Sequence, residues 1–305
     1  MNKPVATLIL NRNLPEISDA MGDHLLKWDG DVTDIFVIES GSDPDKLSKY
    51  DKFWANWPGA IENGLRSGRG FNYGLLELEK MQRYDFYLMV CGDTSFFEEP
   101  VISILLEEMT KWPKLGIISP ISSSPNSPES KLIPRNSTKF VWLVAHICWL
   151  FRSSFLDLIK TQNNPSYMDY FYDGENYRGY DIDTEVGIKA YINDYALAVT
   201  SKARIIEHED LTDRNAEVMR TERRAVHKKL MYAEGLAWMK KKYGLNNKWE
   251  MRDWAKQEYD EFFRRNPEYA QLRLIDPAVR PGLRRYVPKA ARQIVRQIKE
   301  YSKYL

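Results

Sequence analysis

The chain has 305 residues, 43% of them apolar, which suits one large domain with an appendage or two domains. Its 44 basic residues nearly cancel its 43 acidic residues, so a general polyanion binder is disfavoured and we expect no nucleic acid partner. Two cysteines, Cys91 and Cys148, are too few for a disulfide framework, and a reducing compartment follows.

Short apolar runs alternate with amphipathic stretches along the first part of the chain. The runs at 5–10, 35–38, 86–90 and 115–119 predict strands, and 17–28, 71–80 and 101–109 predict helices. This alternation is typical of an α/β fold with a mainly parallel sheet and helices on both faces. Ligands bind such sheets at the carboxyl ends of the strands, and three of these strands end in polar loops. We therefore expect those loops to line one crevice.

The second half of the chain changes in composition. Residues 119–138 hold four prolines and seven serines, which predicts a surface loop. An apolar stretch at 140–151 follows; it is interrupted by His146 and is too short for the roughly 20 residues that cross a bilayer. Helical stretches at 155–160 and 181–191 and a strand at 196–206 come next. From residue 213 onward charged helices dominate, so we predict domains at 1–212 and 213–305.

One predicted strand end raises a chemical question. The apolar run 86–90 leads into Gly92, Asp93 and Thr94. Burial of an unpaired carboxylate costs several kcal/mol, so Asp93 should lie at the open end of its strand, be paired with a cation, or both.

Six short blocks resemble the inverting, nucleotide-sugar-dependent glycosyltransferases of the GT-A fold, most closely the family 2 or rhamnosyltransferase-like group. In chain order they are LNRN, VIESGSD, GRGFNYGL, VCGDTSF, GYDIDTEVG and RIIEHED, within roughly residues 4–210. The resemblance implies a GT-A nucleotide-sugar-binding catalytic domain followed by a C-terminal helical region. It also implies a sugar donor that carries UDP, dTDP or GDP.

The resemblance implies a divalent cation, Mn²⁺ or Mg²⁺, held by Asp93 and His208. The first metal position of the motif is here Cys91, and a hard cation prefers oxygen donors to a thiol. An enzyme that works without the metal stays open as an alternative. A turn or helix-capping role for Asp93, and a structural hydrogen bond for His208, are the rival interpretations.

The resemblance also implies a catalytic base. Asp181 matches the first Asp of the family's acidic pair, although Tyr180 replaces the Glu that usually precedes it. An acidic residue at the start of a helix is also favoured by the helix dipole, so capping is the rival interpretation. Asp183, His146, Trp149 and Tyr180 are candidates for the acceptor side, where aromatic faces stack on sugar rings, although such side chains could equally be core.

Further residues are expected to contact the donor. Their role follows from the matched blocks: Glu39 would contact the base or ribose, and amides at a helix start would bind phosphate. An exposed turn Glu and a strand-breaking glycine are the rival interpretations. The predicted donor-binding residues are Asn11, Arg12, Glu39, Ser40, Gly70, Asn72 and Asp93.

The predicted activity is single displacement of a sugar onto a hydroxyl of a glycan or lipid-linked acceptor, as in polysaccharide biosynthesis. A non-catalytic protein that binds a nucleotide-sugar or glycan is one alternative. A sugar nucleotidylyltransferase is another, although LNRNLPE lacks the Gly-rich basic loop expected of it.

The last residues, 280–305, have apolar side chains at helical spacing and many basic residues. A basic amphipathic helix is typical of a protein on an anionic membrane surface, so we expect a cytoplasmic protein that is peripheral at the inner face of the membrane. The alternative is a helix that packs on the catalytic domain or on a homodimer partner.

Overall fold

The structure is a computed structural model that describes residues 3–123 and 128–274. The strands are β1 Val5–Asn11, β2 Thr33–Glu39, β3 Asp51–Trp54, β4 Phe86–Val90, β5 Thr94–Phe96, β6 Leu115–Ser122, β7 Thr138–Val141, β8 Cys148–Arg152 and β9 Ala196–Glu207. The α-helices are α1 Pro15–Asp29, α2 Pro58–Asn63, α3 Arg66–Met81, α4 Val101–Lys111, α5 Ser153–Ile159, α6 Ile182–Ile192, α7 Leu211–Arg214, α8 Arg224–Tyr243 and α9 Lys248–Arg265.

All of these strands join one sheet in the order β3-β2-β1-β4-β8-β6-β9-β5, with β7 also paired to β9. The neighbours from β3 to β4 are parallel, whereas β8 runs antiparallel to both β4 and β6. Two antiparallel steps restore the original direction, so β9, which is parallel to β6, runs the same way as β4. The carboxyl ends of β1, β2, β4 and β9 therefore share one edge of the sheet.

Burial explains why the strand predictions for β1, β2 and β4 were accurate. In β1, Val5, Ala6, Leu8 and Ile9 are fully buried, because helices cover both faces of the sheet. The one polar residue inside the strand, Thr7, bonds the hydroxyl of Thr33 at 2.8 Å. The α/β fold class is confirmed. The 140–151 stretch forms two strands, β7 and β8, joined by residues 142–147.

The C-terminal helices pack directly on the sheet-bearing part of the molecule. Tyr259, Phe262 and Phe263 of α9 belong to the same hydrophobic core as Phe140 of β7. Asn247 caps α9 by accepting from the amides of Trp249 and Glu250 at 3.0 and 3.2 Å. The division near residue 212 stays a prediction.

The basic tail at 280–305 lies outside the described residues. Within 3–123 and 128–274, no helix combines the length and the apolar character that crossing a membrane requires. Cys91 and Cys148 are free thiols, as expected from their apolar surroundings.

Candidate functional site

A cavity of about 510 Å³ opens at the edge of the sheet where β1, β4 and β9 end. It is bounded by the loops after these strands, by the first residues of α3 and α6, and by the segment between β9 and α8. The lining residues include Asn11, Arg12, Ser40, Gly64, Arg66, Asp93, His146, Asp183, Glu207 and Glu209. Loops far apart in the sequence thus meet at one cavity.

One wall of the cavity is acidic. Asp93 lies there with Glu207 and Glu209, and burial together with the negative charge of Glu207 and Glu209 raises the pKa of Asp93 to about 6. The guanidinium of Arg224 pairs with Glu209. A buried carboxylate beside two others favours the binding of a cation. This is the structural setting of the strand that ends on Asp93.

His208 does not line this cavity, which corrects its predicted pairing with Asp93. The backbone amide of His208 donates to the carbonyl of Asp93 at 2.7 Å, but its imidazole Nε2 lies 2.9 Å from Ser95 Oγ. Successive side chains of an extended chain point to opposite faces, so Glu207 faces the cavity when His208 does not. The sequence prediction missed Glu207, although strand alternation at RIIEHED was a signal that could have found it.

A further carboxylate in the cavity, apart from the acidic wall, is Asp183, on the first turn of α6. Burial, followed by the charge of Asp181, raises the pKa of Asp183 to about 6, and Arg252 acts in the opposite direction. Asp181 itself lies outside the cavity lining. Its side chain is 4% exposed and forms an ion pair with Arg252, with 2.6 Å from Nη2 to Oδ1. The structure therefore places Asp183, rather than the predicted base Asp181, where a substrate could reach it.

The floor of the cavity contains a neutral imidazole. His146 lines the cavity, and its Nε2 lies 2.8 Å from the hydroxyl of Tyr172. Burial lowers the pKa of His146 to about 3, so the ring is uncharged at neutral pH. Cys91 lies beside it and donates its thiol to the His146 carbonyl at 3.2 Å, while burial raises the pKa of that thiol. Cys91 is therefore a protonated thiol in the site.

Two predicted acceptor residues lie in the core instead. Trp149 is 1% exposed, and its indole donates to the carbonyl of Ala145 at 2.7 Å. Tyr180 is 3% exposed and packs edge-on against Tyr232 of α8. Neither lines the cavity, so of the four candidates only His146 and Asp183 do.

Another wall of the cavity is basic, and it was not predicted. Arg66 and Arg178 line the cavity and both donate to the carboxylate of Glu222, which lies in the segment between β9 and α8. Asn13 holds the same segment by donating to the carbonyl of Val218 at 2.8 Å. The segment between β9 and α8 is thereby fastened over the cavity.

The comparisons with known proteins concern the fold. No protein-family model matches the sequence, and a search of curated proteins finds no significant match. Among solved structures, the mannosyltransferase PcManGT from Pyrobaculum calidifontis, in complex with GDP-Man and Mn²⁺, is similar over 78% of this chain, with 11% identity and a TM-score of 0.50. This chain spans 65% of that protein.

Two further solved structures are similar with lower scores. Residues 1–349 of TarS from S. aureus, in complex with UDP-GlcNAc, match 77% of this chain and 67% of their own, at 14% identity and a TM-score of 0.48. Glucosyl-3-phosphoglycerate synthase from Mycobacterium tuberculosis, in complex with Mn²⁺, UDP and phosphoglyceric acid, matches 72% of this chain and 75% of its own, at 11% identity and a TM-score of 0.46.

The chain has a GT-A fold. In this GT-A fold the cavity lies at the carboxyl ends of the strands, where ligands of open α/β sheets bind.

The predicted donor residue Glu39 does not reach the cavity. It is 0% exposed and accepts from Asn11 Nδ2 at 2.8 Å and from the amide of Ser48 at 2.7 Å. Burial raises the pKa of Glu39. Glu39 therefore braces the ends of β1 and β2, and the residues it supports, Asn11 and Ser40, are the ones that line the cavity.

Arg12 lines the cavity but is committed to the backbone. Its guanidinium donates to the carbonyls of Ser40 at 3.1 Å and Ala60 at 3.3 Å, and also to those of Ile61, Glu62 and Met219. Burial and the nearby charge of Arg220 lower the pKa of Arg12 to about 10, so it stays charged. Arg12 thus joins the end of β1, the last turn of α2 and the segment between β9 and α8 (residues 208–223), which we call the cover segment.

The predicted phosphate site at Gly70 and Asn72 is misplaced, because α3 begins four residues before Gly70, at Arg66. Gly70 packs against Leu10, where an added Cβ would lie 2.7 Å from a methyl carbon. The amino end of α3 that opens onto the cavity is formed by Gly64, Arg66 and Ser67.

Asn72 is a buried structural residue. Its amide nitrogen donates to the carbonyls of Tyr167 and Tyr172 at 3.1 and 2.7 Å, and its oxygen accepts from the amides of Phe171 and Tyr172 at 3.0 and 2.9 Å. It therefore holds the aromatic segment before α6 against α3.

We expect Asn72→Ala to lower the free energy of unfolding by about 3 kcal/mol, because buried backbone groups of the aromatic segment would lose their partners. Urea unfolding followed by circular dichroism measures the change. The exposed Gln162→Ala serves as control and should change the free energy by less than about 0.5 kcal/mol. An equal effect of the two substitutions would contradict the role assigned to Asn72.

Proposed function

We propose that this protein is an inverting glycosyltransferase, which moves a sugar from a nucleoside diphosphate to a hydroxyl group of an acceptor. The observation that carries the proposal is one cavity with an ionisable base, Asp183, and separate acidic and basic walls. The similarity to the family 2 or rhamnosyltransferase-like group in the quoted blocks supports it. A single displacement needs these parts around one anomeric carbon.

Asp183 is the proposed catalytic base. A pKa near 6 leaves it mostly ionised at neutral pH, yet makes it a stronger base than an ordinary aspartate. It takes the proton of the acceptor hydroxyl as the hydroxyl oxygen attacks the anomeric carbon. The bond from that carbon to the diphosphate breaks on the opposite face, so the configuration inverts.

The departing diphosphate gains negative charge, and the chain offers positive groups to meet it. Arg66 and Ser67, at the amino end of α3, line the cavity, and backbone amides at a helix start favour an anion. The guanidinium groups of Arg66 and Arg178 lie beside them. These groups would hold the leaving group in place and stabilise it.

A divalent cation fits the acidic wall. Asp93 and Glu207 offer carboxylate oxygens, the ligands that Mg²⁺ and Mn²⁺ prefer. Burial, together with the charges of Glu207 and Glu209, raises the pKa of Asp93, and a bound cation would offset both effects. Within 3–123 and 128–274 no three His, Cys, Asp or Glu side chains cluster closely enough to hold an ion alone. Asp93 and Glu207 would therefore hold the ion only together with other ligands, which the donor could supply. When bound, the cation would neutralise charge on the diphosphate.

We expect Glu207→Gln to weaken Mn²⁺ binding in the presence of nucleoside diphosphate by at least about tenfold, because a carboxylate ligand is lost. The matched substitution His208→Gln should leave the affinity unchanged, because the imidazole lies outside the cavity lining. Electron paramagnetic resonance of free Mn²⁺ measures both. Loss of binding in His208→Gln alone would restore His208 as the ligand.

We base the proposed donor class and acceptor on the similarity of this chain to glycosyltransferases in sequence and in fold. PcManGT is in complex with GDP-Man and Mn²⁺, which supports testing GDP-sugars together with UDP- and dTDP-sugars. We propose a glycan or lipid-linked acceptor, as in polysaccharide biosynthesis. The basic residues at 280–305 support a cytoplasmic location at the inner face of the membrane.

Calorimetry with a panel of UDP-, GDP- and dTDP-sugars, with and without Mn²⁺, tests the donor class. One nucleotide should bind with clear preference, and hydrolysis or transfer of its sugar should follow on addition of acceptor. Absence of binding to every nucleotide-sugar, in a protein that is folded by circular dichroism, would overturn the proposed function.

A further inference from the structure

Three acidic residues alternate at the start of α6, from the N-cap Asp181 to Glu185, and they have different partners. Asp183, the middle one, lines the cavity, whereas Asp181 and Glu185 are turned toward the C-terminal helices. Arg252 of α9 binds Asp181, and Lys242 and Tyr243 of α8 bind Glu185 at 3.0 and 2.6 Å. Both flanking carboxylates are therefore held from outside the sheet-bearing part of the chain.

The ion pair between Asp181 and Arg252 has a forked geometry that fixes both side chains. Arg252 Nε lies 3.2 Å from each oxygen of Asp181, and Nη2 lies 2.6 Å from Oδ1. The Asp181 side chain is 4% exposed and that of Arg252 is 23% exposed. An arginine fork on a carboxylate restricts the direction as well as the distance of the contact.

The backbone at Asp181 needs such support. Its φ of 53° lies in the left-handed region, which costs a non-glycine residue free energy. In this conformation its carbonyl accepts from the amides of Thr184 and Glu185 at 3.1 and 3.2 Å, which starts α6. The direction of Asp183, within this turn, depends on that start.

We propose that Arg252 and Asp181 form a positioning pair through which helix α9 orients Asp183 in the cavity and sets its charge. This inference rests on the proposed function of Asp183 as base. The C-terminal helical region then acts as part of the active site, although Arg252 touches no reacting group.

The charges around Asp183 give the pair a distinctive signature. Asp181, on the same turn, raises the pKa of Asp183, and Arg252, from α9, lowers it. The buried hydroxyl of Tyr172 also lies near Asp183 and is uncharged, as is His146, which lines the same cavity. Removal of the two partners should therefore move the titration of Asp183 in opposite directions.

The test is a carboxyl ¹³C NMR titration of the full chain labelled at aspartate Cγ. The resonance lost in Asp183→Asn assigns Asp183. Asp181→Asn should lower the pKa of Asp183 by about one unit, and Arg252→Met should raise it by about one unit. Arg264→Met, an exposed arginine of the same helix, should leave the pKa unchanged. Unmoved titrations in both Asp181→Asn and Arg252→Met, or shifts in the same direction, would overturn the proposal.

Kinetics supplies a second measurement. The acid limb of the pH–rate profile should move with the NMR values, and in Arg252→Met kcat should fall while the donor affinity stays within about twofold. Arg252→Lys, which keeps the charge without the fork, should restore the pKa but only part of kcat. A donor affinity that falls as much as kcat would overturn the positioning role.

Folding of the variants is controlled separately. If Arg252→Met does not fold, the pairwise substitution of Asp181→Asn with Arg252→Met removes the unpaired buried charge. Together with Asp181→Asn alone it still isolates the effect of Arg252, and an unchanged pKa between those two variants would overturn the proposal. If no nucleotide-sugar binds, the proposed function fails, whereas the NMR shifts still decide whether the pair controls Asp183.

Discussion

Replacement of Asp183 by Asn is expected to lower the rate of sugar transfer by about 10²- to 10⁴-fold, because the amide cannot take the proton of the attacking hydroxyl. Donor affinity should stay nearly the same, since the proposed diphosphate contacts lie at the amino end of α3 and at the basic wall. Single-turnover transfer assays and calorimetry measure the two quantities. In the unmodified protein the rate should rise with pH through about 6, because only ionised Asp183 acts as a base.

Asp181→Asn is the matched control, because it changes the same chemical group two residues away. Its carboxylate pairs with Arg252 and lies outside the cavity lining, so its loss should reduce the rate far less. A rate abolished in Asp181→Asn and preserved in Asp183→Asn would restore the base that the sequence predicted. If neither substitution changes a measured property beyond stability, a non-catalytic binding protein is the better interpretation.

The strands β1, β2 and β4 were predictable because their burial is continuous. The prediction of 86–90 matches β4 Phe86–Val90, and β1 and β2 were placed within two residues, since helices on both faces leave no alternation to disturb the pattern. The short strands β3 and β5, which are only partly buried, were not predicted. The extension of β6 to Ser122 was missed, because the serines and prolines of that stretch are typical of a loop.

The direction of side chains was harder to predict than the elements. At α6 the sequence offers Asp181, Asp183 and Glu185, and which of them faces a cavity depends on partners in α8 and α9 that are distant in sequence. The same ambiguity affected Glu207 and His208, whose sides are fixed by how β9 pairs with β5. The local pattern shows that Glu207 and His208 point to opposite sides, but it does not show which of the two sides faces the cavity.

Buried polar residues misled the sequence interpretation for a related reason. Glu39 and Asn72 match positions that a nucleotide-binding protein would use, yet each is 0% exposed and satisfies backbone groups. A polar residue at a strand end or helix start serves equally as a brace or as a ligand contact. Only the three-dimensional partners distinguish the two roles.

Arg12 is expected to be the residue whose loss most destabilises the site. We expect Arg12→Leu to lower the free energy of unfolding by about 3 kcal/mol, because the buried carbonyl of Ser40 would lose its donor and the carbonyl of Ala60 would keep only the amide of Gly64. The remaining carbonyls it serves are partly open to water, which limits the cost. Urea unfolding measures the loss.

The charge and the shape of Arg12 can be separated. Arg12→Lys keeps the positive charge, but its ammonium group cannot join the end of β1 to α2 as the guanidinium does. It should therefore recover less than half of the lost unfolding free energy. Gly64 leaves the room for the fork, since a Cβ there would lie 1.8 Å from Nη1 of Arg12. Arg83→Leu removes an exposed, salt-bridged arginine and should cost less than about 1 kcal/mol. If Arg12→Leu and Arg83→Leu lowered the free energy of unfolding equally, the bonds from Arg12 to the backbone would not be needed to hold β1, α2 and the cover segment together.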